Sequence, residues 1–261
     1  MKNAVIICSI FLVFATKECT SFLKEKPSFI QTCFLSEPDF PKCNTESVQK
    51  IFSHLKYGVP EIGLLPVDPL KVSEIRLLQG TGPVSINATL TNVQIDGFSR
   101  AIIKSNKVYP QRGYSFVTKL RLPQMKIEGN YILQGRILLL PLVGKGTCVF
   151  EPKNMDVEVT HDIHIVQKEG YNFFNITAVH VKFEIEGLKL RLNNLFNGAK
   201  QLEESTNAYL NANWKAASES LKPILRKTIG DILIIILRKL FDNIPANFFI
   251  GDVVYQGQKS A

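Results

Sequence analysis

A chain of 261 residues that is 45% hydrophobic and 21% charged has the composition of a folded globular protein with a sizeable core, and a disordered or fibrous chain is excluded. Its 31 Lys and Arg against 23 Asp and Glu give a formal charge of +8, but the basic residues never form a run of three and only 10% of the chain is aromatic. That argues against a dedicated nucleic-acid surface. After the first twenty residues the longest purely apolar run is Ile232 to Leu237, far short of a hydrocarbon layer of roughly 30 Å, which excludes a multipass membrane protein.

Residues 1–21 read as a secretory signal peptide. Lys2 supplies the positive start, Ala4 to Ala15 is apolar apart from Ser9, and small residues follow at Cys19 and Ser21, after which cleavage is expected. A membrane anchor needs about 20 apolar residues, and this run stops at Thr16 and Lys17. The mature chain, 22–261, then forms one domain, is still basic, and keeps Cys33, Cys43 and Cys148. In an oxidising compartment Cys33 and Cys43 make the natural bridge across a loop stiffened by Pro38 and Pro41. Cys148 is left over, either as a buried thiol or as an intermolecular partner, and without Cys-x-x-Cys spacing no zinc site is expected.

Asn44 is placed to cap a short amphipathic helix reaching Tyr57, with Val48, Ile51, Phe52 and Leu55 on its apolar face. The helix ends at Gly58, and the following Pro- and Gly-rich stretch to Leu70 predicts an irregular apolar connection. From about Val72 to Leu192 the period is two: Val84, Ile86, Ala88 and Leu90 alternate with polar residues, as do Tyr114 to Leu120 and Val157 to Ile165. An antiparallel sheet with one apolar face follows. Its phase slips at Ile176/Val179 and again at Gly187, which predicts bulges and strong curvature. Two sequons, at Asn87 and Asn175, fall on the polar phase of their strands, where each could carry a glycan without opening the core. From Gln201 to Phe241 a helical stripe running through Leu210, Trp214, Leu221, Leu225, Ile229 and Leu233 predicts one very long helix, kinked at Pro223. Beyond Pro223 the apolar stripe widens, so that half must be covered on most sides, as by a curled sheet wrapped around it.

In order and spacing, four segments of this chain resemble the insect takeout and juvenile hormone binding protein family of the tubular lipid-binding superfamily. They are the Cys33/Cys43 pair, the Gly58 to Gly63 and Asp68-Pro69-Leu70 stretch, Tyr131 to Gly146, and Asn211 to Lys215 followed by Leu221-Lys222-Pro223. The resemblance spans essentially the whole mature chain. It implies an α+β fold, a strongly curved antiparallel sheet rolled around one long C-terminal helix with a short N-terminal helix and an elongated apolar tunnel. It also implies a secreted carrier of a small elongated hydrophobic ligand, such as a terpenoid hormone, a fatty acid or another lipid. The unpartnered Cys148 departs from dedicated juvenile hormone binders, which resemble one another in a second disulfide, and favours the takeout-like branch.

No nucleophile elbow, metalloprotease helix, phosphate-binding loop or dinucleotide fingerprint occurs, so neither catalysis nor a cofactor is expected. His161 and His164 lie three apart on a strand and point to opposite faces, which prevents a shared metal. His161 falls on the apolar phase and is either a hydrogen-bonded core residue or a polar anchor in the cavity. The expected cavity walls are Val59, Ile62, Leu65 and Val67 from the connection, Leu138, Leu140 and Leu142 from the apolar run, and Leu210, Trp214 and Leu221 from the helix. Tyr114, Tyr131 and His161 are the polar candidates. A monomer that does not insert stably into membranes is expected. The rival reading is a protein that presents its basic surface to lipid surfaces.

Overall fold

The computed structural model describes residues 22–80, 84–110, 114–138 and 140–255; the signal peptide read from the sequence lies outside them. The strands are β1 (Leu70–Gln79), β2 (Val84–Asp96), β3 (Ile102–Tyr109), β4 (Tyr114–Gln124), β5 (Lys126–Ile137), β6 (Leu140–Lys168), β7 (Tyr171–Glu184) and β8 (Gly187–Leu192). All pair antiparallel in one sheet. The register shows a simpler object. β4 and β5 run end to end along one edge of β6 without a change of register, and β7 and β8 run end to end along its other edge, in register across their junction. β2 and β3 lie end to end outside β5 and β4, and β1 pairs with β2. The sheet is therefore a meander of very long ribbons, built from hairpins.

Length forces curvature, because a right-handed twist accumulates along such ribbons. Register shifts at Thr91/Gln94, Ile103/Ser105 and Asp162/Ile163 add to it. The last leaves Thr177 without a partner, which is the slip expected between Ile176 and Val179. The slip at Gly187 is different: no bulge absorbs it, and the ribbon is interrupted between β7 and β8. The same level of the sheet carries a change of buried phase at Met125 between β4 and β5 and at Asn154 in β6, whose φ is 47°. One crease thus crosses three ribbons. On its outer surface Arg121 binds Asp156 (2.9 Å) and Glu186 (2.9 Å), and Lys104 joins Asp156 (2.8 Å).

The helices are α1 (Phe40–His54), α2 (Lys200–Ala212), α3 (Trp214–Phe241) and the short α4 (Ala246–Phe249). α1 begins four residues before the expected Asn44, since Pro41 suits the first turn and Cys43 is bonded to Cys33. The end at Gly58, φ 73°, is as expected; a Cβ there would lie 2.5 Å from the Leu64 carbonyl oxygen. The connection to β1 holds a 3-10 turn at Pro60–Ile62 and Asp68, whose carboxylate accepts hydrogen bonds from the backbone N–H groups of Gly97 (2.8 Å) and Ser99 (2.7 Å). The long helix is interrupted at Asn213, not at Pro223. Pro223 is exposed, so water can satisfy the Glu219 carbonyl that its ring leaves unpaired, and α3 continues unbroken.

α3 packs along β7 and touches β1 and β8, so it meets both edges of the curled sheet. At that seam Gln79 donates to the Ser220 carbonyl (3.4 Å), and buried Lys222 reaches Glu184 of β7 (2.6 Å). The free edge of β8 is closed by side chains of α2. Asn207 accepts from Leu192 N–H (2.8 Å) and donates to Leu192 C=O (2.9 Å); Asn211 does the same for Leu190 (2.9 and 2.8 Å). Residues four apart on one helix face thereby stand in for a missing strand, and Glu203, one turn earlier, accepts from Leu195 N–H (3.1 Å). Replacing Asn207 by Leu strands a buried N–H and a buried C=O, and the expected loss is about 2–4 kcal/mol in urea unfolding. A loss under about 1 kcal/mol would show that the amide does not close this edge.

Candidate functional site

A partly open hollow of about 120 Å³ lies between α1, the concave face of the sheet and the C-terminal half of α3. α1 contributes Asn44, Ser47, Val48, Ile51 and Phe52, and the 3-10 turn that follows it contributes Leu55, which together make the apolar face that the spacing predicted with two polar residues beside it. α3 contributes Leu233, Ile236, Leu237, Leu240 and Phe241, spaced at three and four residues so that one face looks inward. Asn106 of β3, Phe116 and Thr118 of β4, His161 of β6 and Phe174 of β7 form the floor, and Val67, Phe98, Phe249 and Ile250 close the ends. An engineered cavity of about 150 Å³ holds benzene. The hollow as it stands therefore accommodates one ring or a short alkyl segment, and a longer guest needs α1 or the neighbouring space to give way.

The floor is a ladder of aligned side chains. Asn106 is opposite Thr118, and Phe116, two residues from Thr118 on the same face, is opposite His161. The Phe116 and His161 rings are 5.4 Å apart edge to face, and Phe174 packs on Phe116 (5.3 Å) and Phe241 (5.5 Å). Within this apolar setting Thr118 donates to Asn106 Oδ1 (2.8 Å), and Asn44 donates to the Asn106 carbonyl (3.0 Å). His161, 5% exposed, has no hydrogen-bond partner at Nδ1 among the described residues.

Of the residues expected at the site, Val67 and His161 line the hollow. Val59 and Ile62 are buried in the same apolar cluster but behind its wall. Leu65 is a correction: it is 78% exposed, because the tight turn that buries Leu64 and Val67 points it to solvent. Tyr114 is buried one row beyond Phe116, its ring 6.5 Å away. Tyr131 lies elsewhere and donates its hydroxyl to the Asn193 carbonyl (2.9 Å); burial, with the Glu203 carboxylate nearby, pushes its phenol up to about 12. Leu138 and Leu140 are half-buried at the β5–β6 hairpin, and Leu142 and Leu210 are fully buried in the core cluster at the far end. Trp214 and Leu221 are half-buried at the start of α3. The sequence reading missed Asn44, Asn106 and Thr118 as wall residues. Thr118 had a signal, a polar residue on the apolar phase of β4, whereas Asn106 depends on which strand β3 pairs with.

Elsewhere, the Cys33–Cys43 disulfide is formed, and Cys148 is a buried free thiol pushed up to about 11 by burial. Asn87 and Asn175 are both exposed, and His164 is exposed as expected. Among the described residues no group of His, Cys, Asp and Glu is placed to hold a metal ion, and no helix is long and apolar enough to cross a membrane.

Burial holds the His161 imidazole neutral down to about 4, while an unfolded histidine titrates near 6.5. Between those values the unfolded chain binds a proton that the folded chain does not, so stability falls as pH drops from about 6.5 towards 4. At about 1.4 kcal/mol per pH unit the loss amounts to about 3 kcal/mol. Urea unfolding at pH 7 and pH 4.5 is expected to show this acid loss in the natural chain and to show it reduced by about 2–3 kcal/mol in His161→Phe. Equal acid sensitivity of the two would place the titrating group elsewhere.

Comparison with known proteins follows the same architecture. The solved structure of Epiphyas postvittana Takeout 1 superposes with a TM-score of 0.75 at 23% identity, over 86% of this chain and all of that one. "Circadian clock-controlled protein daywake" of Drosophila melanogaster is 26% identical over 230 residues, covering 85% of this chain and 87% of that protein. "Putative beta-carotene-binding protein" of Schistocerca gregaria is 25% identical over 231 residues, covering 82% and 85%. The model of the haemolymph juvenile hormone binding protein (JHBP) family matches residues 8–251, and with that match over nearly the whole length this chain belongs to the JHBP family.

Proposed function

We propose that this protein is a secreted, non-catalytic, monomeric carrier that sequesters one elongated hydrophobic molecule, with one end in the hollow under α1. The observation that carries this reading is the hollow itself, whose walls are mostly apolar, with Asn106, Thr118 and His161 on its floor and Asn44 and Ser47 of α1 facing them. Each methylene buried there contributes about 0.8 kcal/mol, so even a short segment adds usefully to affinity. The tail of the ligand runs along the inner stripe of α3, where Leu221, Leu225, Ile229 and Leu233 all pack on the core yet stay only partly buried. The family's name refers to juvenile hormone and that of the Schistocerca gregaria relative to beta-carotene, both hydrophobic molecules, which supports a ligand of that general kind. Release occurs by displacement of α1, a short helix tied near its start by the Cys33–Cys43 disulfide and followed by the Gly58 turn. Secretion accords with the leader-like residues 1–21, the disulfide and the two exposed sequon asparagines, which we propose carry glycans.

A second reading, contact with lipid surfaces, is favoured by one observation: Tyr57 (64% exposed) and Leu65 project beside α1, with Lys56 over the Tyr57 ring. Vesicle cosedimentation that rises with anionic lipid and collapses in salt would favour it.

Native mass spectrometry of the delipidated protein tests the carrier. Saturable uptake of one lipid or terpenoid per chain is expected, and Leu237→Trp, which fills the hollow, is expected to weaken uptake about tenfold or more without unfolding the protein. No uptake by the folded natural chain would reject the reading.

A further inference from the structure

We propose that the hollow selects an uncharged lipid carrying one hydrogen-bonding group, seated against His161, Thr118 and Asn106, and discriminates against the free carboxylate of the same chain; this rests on the carrier reading. The three side chains occupy adjacent ribbons of the concave face, Asn106 directly across from Thr118, and His161 across from Phe116 two residues along. They are 4%, 6% and 5% exposed, in a wall otherwise made mostly of Phe, Leu, Ile and Val. Their mutual bonds leave capacity over. Thr118 donates to Asn106 Oδ1 and the Asn106 carbonyl accepts from Asn44, but the Asn106 amide nitrogen makes no hydrogen bond to any described residue. His161 Nδ1 is buried and unpartnered.

A buried polar group without a partner is costly, and a guest that brings a hydroxyl, ester, ketone or epoxide recovers that cost. A guest that brings none does not. This makes the patch a determinant of which molecule binds, beyond the nonspecific attraction of the apolar wall.

The sign of charge it tolerates follows from what surrounds it. No Lys, Arg, Asp or Glu is among the residues that line the hollow. α1 offers only Asn44 and Ser47 as polar groups there, and the inward face of α3 from Leu233 to Phe241 offers none. Asp162, next to His161 in the strand, points to the opposite face. A carboxylate placed there would be buried without a counter-ion. Burial disfavours the charged imidazole, so a counter-charge from the histidine comes only at that cost. An alcohol or ester loses nothing of the kind.

The test is displacement of N-phenyl-1-naphthylamine fluorescence from the natural chain at pH 7.5 by dodecane, 1-dodecanol, methyl dodecanoate and dodecanoate, which share one hydrocarbon chain. The alcohol or the ester is expected to compete at least about tenfold better than the carboxylate and better than the alkane. In His161→Phe the preference for alcohol over alkane is expected to fall about tenfold, and His161→Gln, which keeps a hydrogen-bonding group, is expected to retain most of it. Dodecanoate competing as well as the alcohol in the natural chain overturns the inference whether or not either variant folds. An alcohol preference unchanged in folded His161→Phe also overturns it. Failure of all four compounds, together with failure of native lipid uptake, brings down the carrier reading and this inference with it, whereas uptake with a carboxylate preference brings down this inference alone.

Discussion

A sheet of very long antiparallel ribbons has an apolar concave face and two edges whose backbone groups need partners, and one helical segment must serve both needs. In this chain α3 fills the trough and touches both β1 and β7, while the side-chain amides of α2 complete the edge at β8. The arrangement explains why β6 can be as long as 29 residues: it is the central ribbon, paired on both sides, and never an exposed edge over most of its length. It also explains why the helix can contain Pro223 without breaking. Tertiary packing on its inner face, not local hydrogen bonding alone, keeps α3 helical.

A rigid cylinder does not fill a twisted, creased trough evenly. At the start of α3 the two surfaces approach closely, with the small residues Ala217 and Ser218 among the buried helix residues. Towards the C-terminal half the sheet's floor is set by the rings of Phe116, His161 and Phe174, and α1 crosses above it to leave a hollow. That hollow is small, and its polar groups are few and buried. Polar groups that are neutral and buried act mainly over hydrogen-bond distances, so His161, Thr118 and Asn106 influence only the space directly against them, and the remaining wall is governed by apolar contact.

Much of the molecule was legible in the chain. The period of two from Val72 to Leu192 gave the sheet, its phase slip near Ile176 located the bulge at Thr177, and the stripe after Gln201 gave the helical segment. These features are local: they follow from which side chains must face the same way. The site was legible only in part. His161 stood out as a polar residue on an apolar phase, and the inner face of α1 was visible from its spacing. Leu65 shows the limit, since an apolar residue in an irregular connection has no period to state its direction, and the turn at Gly63 faced it outward.

By itself, then, the sequence determined the class of fold, the facing of the strands with clear alternation, the Cys33/Cys43 pairing and three polar candidates, of which His161 is the one that lines the hollow. Only the tertiary structure decided that β3 lies beside β4, which brings Asn106 to Thr118, and that α1 lies over the C-terminal half of α3 and not its start. It also decided that Tyr131 spends its hydroxyl on Asn193 at the far end of the core. Strand neighbours and helix placement depend on contacts between residues tens to hundreds of positions apart, and periodicity within a segment carries no information about which other segment it will meet.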